Sequence, residues 1–250
     1  MHRDYGTLIT NVFIDETINR VLAEISTGMP DLEISDQDRR RLKFQVKNIY
    51  NVVVDEELIT LSNPDAVRWF DSKKSQISWK HWDAYKQMLL SQARPIDVID
   101  SNEEVIDTIL DFSGDPTTPG QWARKGLVMG NVQSGKTQNY LGLINKAIDS
   151  GYKIIILLGG HLVDLRKQTQ ERVDEGFVGR SSDPDNRKLI GVGRKGYPHP
   201  ATLTNIYKDF NKATAGHSGW ELNDFSKPII LVIKKNVSTL KSLHDWLKEL

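Results

Sequence analysis

Two textures of hydrophobic patterning divide this chain. Over the first 112 residues, apolar side chains recur at helical spacing: Leu8, Val12, Ile14, Ile18, Val21, Leu22 and Ile25 in "TLITNVFIDETINRVLAEIS" predict an amphipathic helix. "SDQDRRRLKFQVKNIYNVV" predicts a second, with Ser35 as N-cap and Asp36 and Asp38 in its first turn, where carboxylates meet the positive end of the helix. "NPDAVRWF" offers Asn63 as a cap and Pro64 at the first helical position. In "WKHWDAYKQMLL" the residues Trp79, Trp82, Tyr85, Met88 and Leu89 share one face, and "SNEEVIDTIL" carries a capping box from Ser101 to Glu104. Trp69, Trp79 and Trp82 have two readings, helix core or stacking platform for bases, and helical spacing favours core.

The Pro/Gly-rich run "SGDPTTPGQW", residues 113–122, breaks this pattern and sets the expected domain boundary: a helical domain over 1–112 and an α/β domain over 113–250. Beyond it, strand and helix patterns alternate. "KGLVMG" reads as a short buried strand, and "KTQNYLGLINKAIDSG" as a helix with Tyr140, Leu141, Ile144, Ala147 and Ile148 on one side, ended by Gly151. "KIIILLGG" is apolar throughout, as the middle of a parallel sheet requires. "HLVDLRKQTQERVDEGF" predicts a helix, "KPIILVIKK" a strand, and "STLKSLHDWLKEL" a helix capped by Ser238. This alternation predicts a parallel-sheet α/β fold.

Composition narrows the classes. With 250 residues, 38% apolar and 26% charged, the chain has ordinary globular content and enough length for two units. The absence of cysteine excludes disulfides and thiolate zinc sites, and the six histidines are scattered without metal-ligand spacing. No secretory pattern is read at the start, and "IIILLGG" is too short to span a bilayer. A soluble, cytoplasmic protein without membrane contact is expected. Charge is zero in total but uneven, −7 over residues 1–112 and +7 over 113–250. A positive half facing polyanions and a merely solvated surface are both compatible with that split.

"GNVQSGKT", Gly130 to Thr137, satisfies the phosphate-loop pattern GxxxxGK[ST]. Gly130 and Gly135 let the backbone curl, so that the N–H groups of the loop (Gly130, Asn131, Val132, Gln133, Ser134, Gly135) converge on phosphate. The helix beginning near Lys136 adds its positive end. Lys136 reaches the β- and γ-phosphates and Thr137 holds Mg²⁺ through its hydroxyl, which makes ATP with Mg²⁺ the expected ligand. A magnesium site of this type also needs a carboxylate, and neither "KIIILLGG" nor "KPIILVIKK" ends in one. The sequence is therefore expected to be the front part of a longer protein.

The run from "GLVMGNVQSGKTQNYLGLINKAIDSG" through "LRKQTQERVDEGFVG", with "TLTNIYKDFN" and "KPIILVIKKNVSTLKSLHDWL", resembles the Z1 domain family over residues 64–250. That family is related to superfamily-two helicases, is associated with bacterial restriction and phage-defence loci, and has endonuclease activity ascribed to it. The resemblance implies a RecA-like P-loop NTPase lobe, incomplete in this chain, with an Asp-Glu box and arginine finger further along. It implies that the loop "GGHLVDLRKQTQ" touches a nucleic-acid backbone, with Gly159 and Gly160 allowing close approach and Arg166, Lys167, Gln168 and Arg172 reaching phosphates. A solvated helix face with a glycine turn is the alternative for that loop, and His161 either caps the helix or contacts phosphate. The basic loop "GRKGYPHP" is a weaker candidate for the same contact. No Asp/Glu/Lys constellation for two-metal cleavage is read.

These readings predict a helicase-like ATPase acting on DNA in a prokaryotic restriction or anti-phage system, with defence-system proteins as further partners. The alternative is a nucleotide-switched signalling or assembly ATPase whose helical N-terminal unit binds a protein partner.

Overall fold

A computed structural model describes residues 11–28, 34–36, 38–39, 42, 68–120, 122–129, 135–213 and 227–249. The chain divides into two units, Met1–Leu61 with Met129–Ser134, and Ser62–Val128 with Gly135–Leu250.

In the first unit, helix α1 spans Asn11–Gly28. Its Ile18 and Leu22 are buried against Ile34 and Leu42, the face that helical spacing selects. Ser35 caps as expected: the Asp38 N–H donates to Ser35 Oγ at 3.1 Å, and the Ser35 N–H and hydroxyl donate to the Asp38 carboxylate. The expected cap at Asn63 and Pro64 lies outside the described residues.

The second unit is mixed helix and sheet. Its described helices are α2 (Phe70–Lys73), α3 (Lys80–Ser91), α4 (Ile96–Phe112), α5 (Lys136–Asp149), α6 (Val163–Val173) and α7 (Val237–Leu247). Its strands are β1 (Ile154–Leu158), β2 (Ala201–Thr202) and β3 (Ile229–Ile233), all parallel, in the order β1-β3-β2. The central strand is β3, whose five residues are 0% exposed. Ile230 and Val232 face a core built with Ile144, Ile148, Trp82 and Tyr85 from α5 and α3. Ile229, Leu231 and Ile233 face Leu243 and Trp246 of α7 together with Phe210. A buried parallel strand needs apolar residues on both faces, which is what "IILVI" supplies.

Two corrections concern strands. "KIIILLGG" reads as the middle of the sheet, but among the described residues β1 is an edge strand with Ile156 and Leu158 exposed. An apolar run reports a strand without reporting its place in the order. "KGLVMG" forms no strand: residues 122–129 carry no regular structure, and Leu127 and Met129 are 83% and 86% exposed. With no ladder partner among the described residues, three apolar side chains do not hold a strand.

Helix ends bring two more. Helix α4 starts at Ile96 behind Pro95, so Ser101 and Glu104 lie inside it and make no capping box. Helix α7 is capped by Asn236, whose side chain accepts from the Thr239 N–H at 2.8 Å, not by Ser238. The end of α5 is as expected: Gly151 at φ +110° closes it, with the Tyr152 N–H returning to Ala147 O.

Helix α3 has no cap of its own. The Asp149 carboxylate, from the end of α5, accepts the N–H groups of His81 and Trp82 and lies 2.7 Å from His81 Nδ1. Lys146, also on α5, is 0% exposed and bonds Glu103 and Asp107 of α4, with the rings of Trp79 and Trp82 about it. The tryptophans are thus core, as their spacing favoured: Trp69 and Trp82 are buried and Trp79 packs beside them. The residues on both sides of the 113–122 break, α3 and α4 before it and α5 after it, pack within this one unit. Among the described residues no helix is long and apolar enough to cross a membrane.

Candidate functional site

Helix α5 begins where the phosphate-loop pattern puts it. Its N-cap is Gly135 at φ +74°, a left-handed conformation that a side chain resists, and the Asn139 N–H closes the first turn on Gly135 O. Lys136 and Thr137 form that first turn, Lys136 exposed and Thr137 half-buried. Gly130, Asn131, Val132, Gln133 and Ser134 lie outside the described residues.

A cavity of about 210 Å³ opens beside this turn. Gly135, Thr137, Gln138 and Leu141 of the α5 end form one wall. Tyr85, Met88 and Leu89 of α3, with Gln92 and Arg94 just after it, form the second. Arg172 at the end of α6, followed by Glu175 and Gly176, forms the third. Arg172 Nη1 lies 3.4 Å from Thr137 Oγ1, a long and loose hydrogen bond. Gln92 Nε2 donates to Glu175 Oε1 at 3.3 Å and so ties the second wall to the third. Burial raises the Tyr85 hydroxyl well above the ordinary tyrosine range, and burial also raises that of Tyr140.

The third wall has an unusual backbone. After α6 the chain makes one π-helical turn, Asp174–Val178, a rare form that is frequent at functional sites. Two features pin it. Asp174 is buried and accepts from Gln170 Nε2 at 2.9 Å and the Ser182 N–H at 2.7 Å. The Val192 N–H donates to Glu175 O, and a Cβ on Gly193 would stand 1.6 Å from Gly179 O, so the loop at 191–193 seats directly on the turn. Tyr197 donates to Phe177 O and His199 Nδ1 lies 2.9 Å from Val178 O. Half of "GRKGYPHP" therefore anchors the π turn, leaving Arg194 and Lys195 exposed.

The residues expected at a nucleic acid separate. Gly160 takes φ +89° and its carbonyl accepts from the Lys235 N–H at 2.7 Å. His161 and Gln168 are exposed, Lys167 is half-buried, and Gly159 is buried. His161 does not cap α6, whose start has no side-chain cap. Arg166 reverses its expectation: it is 1% exposed and donates to Asn205 O at 2.8 Å and Ile206 O at 2.9 Å. Its guanidinium is spent on backbone carbonyls inside the fold and does not face solvent. Arg172 is exposed, but at the cavity beside Thr137.

Sequence reasoning passed over Glu175, Arg94 and Tyr85. Glu175 follows the end of a helix and not a strand, and only the fold brings its carboxylate to the cavity beside the start of α5. Comparison with protein-family models, with curated proteins and with solved structures returned no match for this chain.

Proposed function

We propose that this chain binds ATP with Mg²⁺ at the start of α5, as the nucleotide-binding part of a helicase-like ATPase that acts on DNA in a prokaryotic restriction or anti-phage system. The observation that carries the nucleotide reading is the convergence at one cavity of a left-handed glycine cap, Thr137 in the first turn of α5, and Arg172, with Lys136 next to Thr137 in that turn. A helix start offers unpaired N–H groups and a partial positive charge, and the added cations suit a polyphosphate. Thr137 and Glu175 supply a hydroxyl and a carboxylate, hard oxygen donors of the kind Mg²⁺ takes when substrate phosphates complete its shell. Bound there, the ion would neutralise charge on the terminal phosphates. The DNA and defence parts of the proposal rest on the Z1 resemblance and on the exposed His161 and Gln168 with Lys167.

Calorimetric titration tests the reading. The wild-type chain is expected to bind MgATP, and Lys136→Ala to lose at least about tenfold in affinity, as removal of one charge-assisted contact does. Absence of heat from folded wild-type protein removes the proposal. DNA is expected to stimulate ATP turnover, and an unchanged rate would reject action on DNA.

A further inference from the structure

We infer that Arg94 and Arg172 bind the terminal phosphate of the nucleotide and make the site selective for a triphosphate over a diphosphate. The inference rests on the nucleotide reading above and adds to it the cations that read phosphate number.

The cavity is rich in donors and poor in acceptors. Among the described residues neither Arg94 nor Arg172 is in an ion pair. Glu175 is the one carboxylate on its walls. Two guanidinium groups around one small volume leave hydrogen-bonding capacity that an anion with several oxygens satisfies.

Backbone geometry holds both arginines at the cavity. Helix α3 ends in a Schellman arrangement, with the Arg94 N–H returning to Leu89 O at 3.1 Å and the Ala93 N–H to Leu90 O at 3.0 Å. The left-handed position of that motif is filled by Ala93 at φ +58°, the one described non-glycine residue with positive φ. An alanine there is strained, because its Cβ crowds the following carbonyl in the left-handed conformation. The strained turn sets Arg94 on the cavity wall. Arg172 is set by α6 and the π turn, on the opposite side of the same space.

Position then selects the phosphate. A phosphate-loop threonine faces the β- and γ-phosphates, because the ion it helps to hold bridges them. A cavity beside Thr137, with Arg172 3.4 Å from its hydroxyl, is therefore at the γ end of the chain of phosphates. Thr137 would exchange this long contact for the ion, and Arg172 would turn to the phosphate oxygens.

The test is calorimetric titration of the wild-type chain, Arg172→Ala, Arg172→Lys and Arg94→Ala with MgATP and MgADP, with Lys136→Ala as reference. Both arginines are exposed, so the variants keep the fold, and circular dichroism checks that they do. Arg172→Ala and Arg94→Ala are each expected to weaken MgATP by about ten- to a hundredfold, while changing MgADP by less than about threefold. Arg172→Lys should recover part of the loss, since charge returns without the guanidinium fork. If wild type binds both nucleotides and Lys136→Ala weakens both, but the arginine variants lose ATP and ADP equally or not at all, this inference is overturned and the nucleotide reading stands. If wild type binds neither, both are overturned.

Discussion

Arg166 and Arg172 sit on one helix in the same basic run, and the fold gives them opposite tasks. Nothing in "DLRKQTQER" distinguishes them, because what buries Arg166 is the segment at Asn205 and Ile206, some 40 positions away in sequence. Burial lowers the Arg166 pKa against the nearby Asp209, yet its donors stay matched to two carbonyls. Arg166→Ala is expected to remove about 3 kcal/mol of stability, from two buried acceptors left without donors, measured by urea unfolding. Asp174 gives a pH-dependent counterpart. Burial pushes its carboxyl above the ordinary aspartate range, more than the hydrogen bonds from Ser182 and Gln170 pull it down. The folded chain therefore holds this proton to higher pH than the unfolded chain, and stability falls as pH rises from about 4 through the folded-state value. Asp174→Asn should flatten that portion of the stability–pH curve, and an unchanged slope would assign it to other groups.

At the scale of elements, the helices were legible and their ends less so. Periodicity fixes which face of α3 or α5 is buried, since that depends only on residues within the helix. Ends depend on neighbours: Asp149 caps α3 from another helix, and Pro95 starts α4 six residues ahead of the serine that local pattern favoured. The "KGLVMG" run failed for a related reason, because a strand is defined by a partner that the run itself does not contain. The site divides the same way. The start of α5 at Lys136 was readable from the GxxxxGKT spacing, whereas Arg94 and Glu175 arrive through a Schellman turn and a π turn that no short pattern announces. The Schellman turn makes its own prediction. Ala93→Gly relieves the left-handed strain at φ +58°, and after the larger chain entropy of glycine is offset it should raise stability by about 0.5 kcal/mol. A higher urea midpoint with an unchanged m-value checks it.

Across the whole molecule, the −7 and +7 halves first suggested a surface built to meet polyanions, but part of that split is internal. Lys146 from the positive half is 0% exposed and is neutralised by Glu103 and Asp107 from the negative half, and Asp115 pairs with Lys73 across the same divide. Arg166 is buried as well. The charges that hold α4 to α5 cannot also steer DNA. Lys146→Ala should cost about 3–5 kcal/mol, because two carboxylates lose their central cation in a half-buried setting. What the loop after β1 can still present to a nucleic-acid backbone is the half-buried Lys167 with the exposed His161 and Gln168. Affinity for DNA falls with salt by about 0.9 logarithmic units per decade for each phosphate neutralised. A contact made by one lysine predicts a shallow slope, near about −0.9, in the absence of nucleotide. Lys167→Ala should lower its magnitude by about 0.9, while Arg166→Ala leaves it unchanged. Fluorescence anisotropy with a short duplex across a salt series measures all three. A slope steeper than about −6 would place the DNA on another face and detach the loop after β1 from the proposed function.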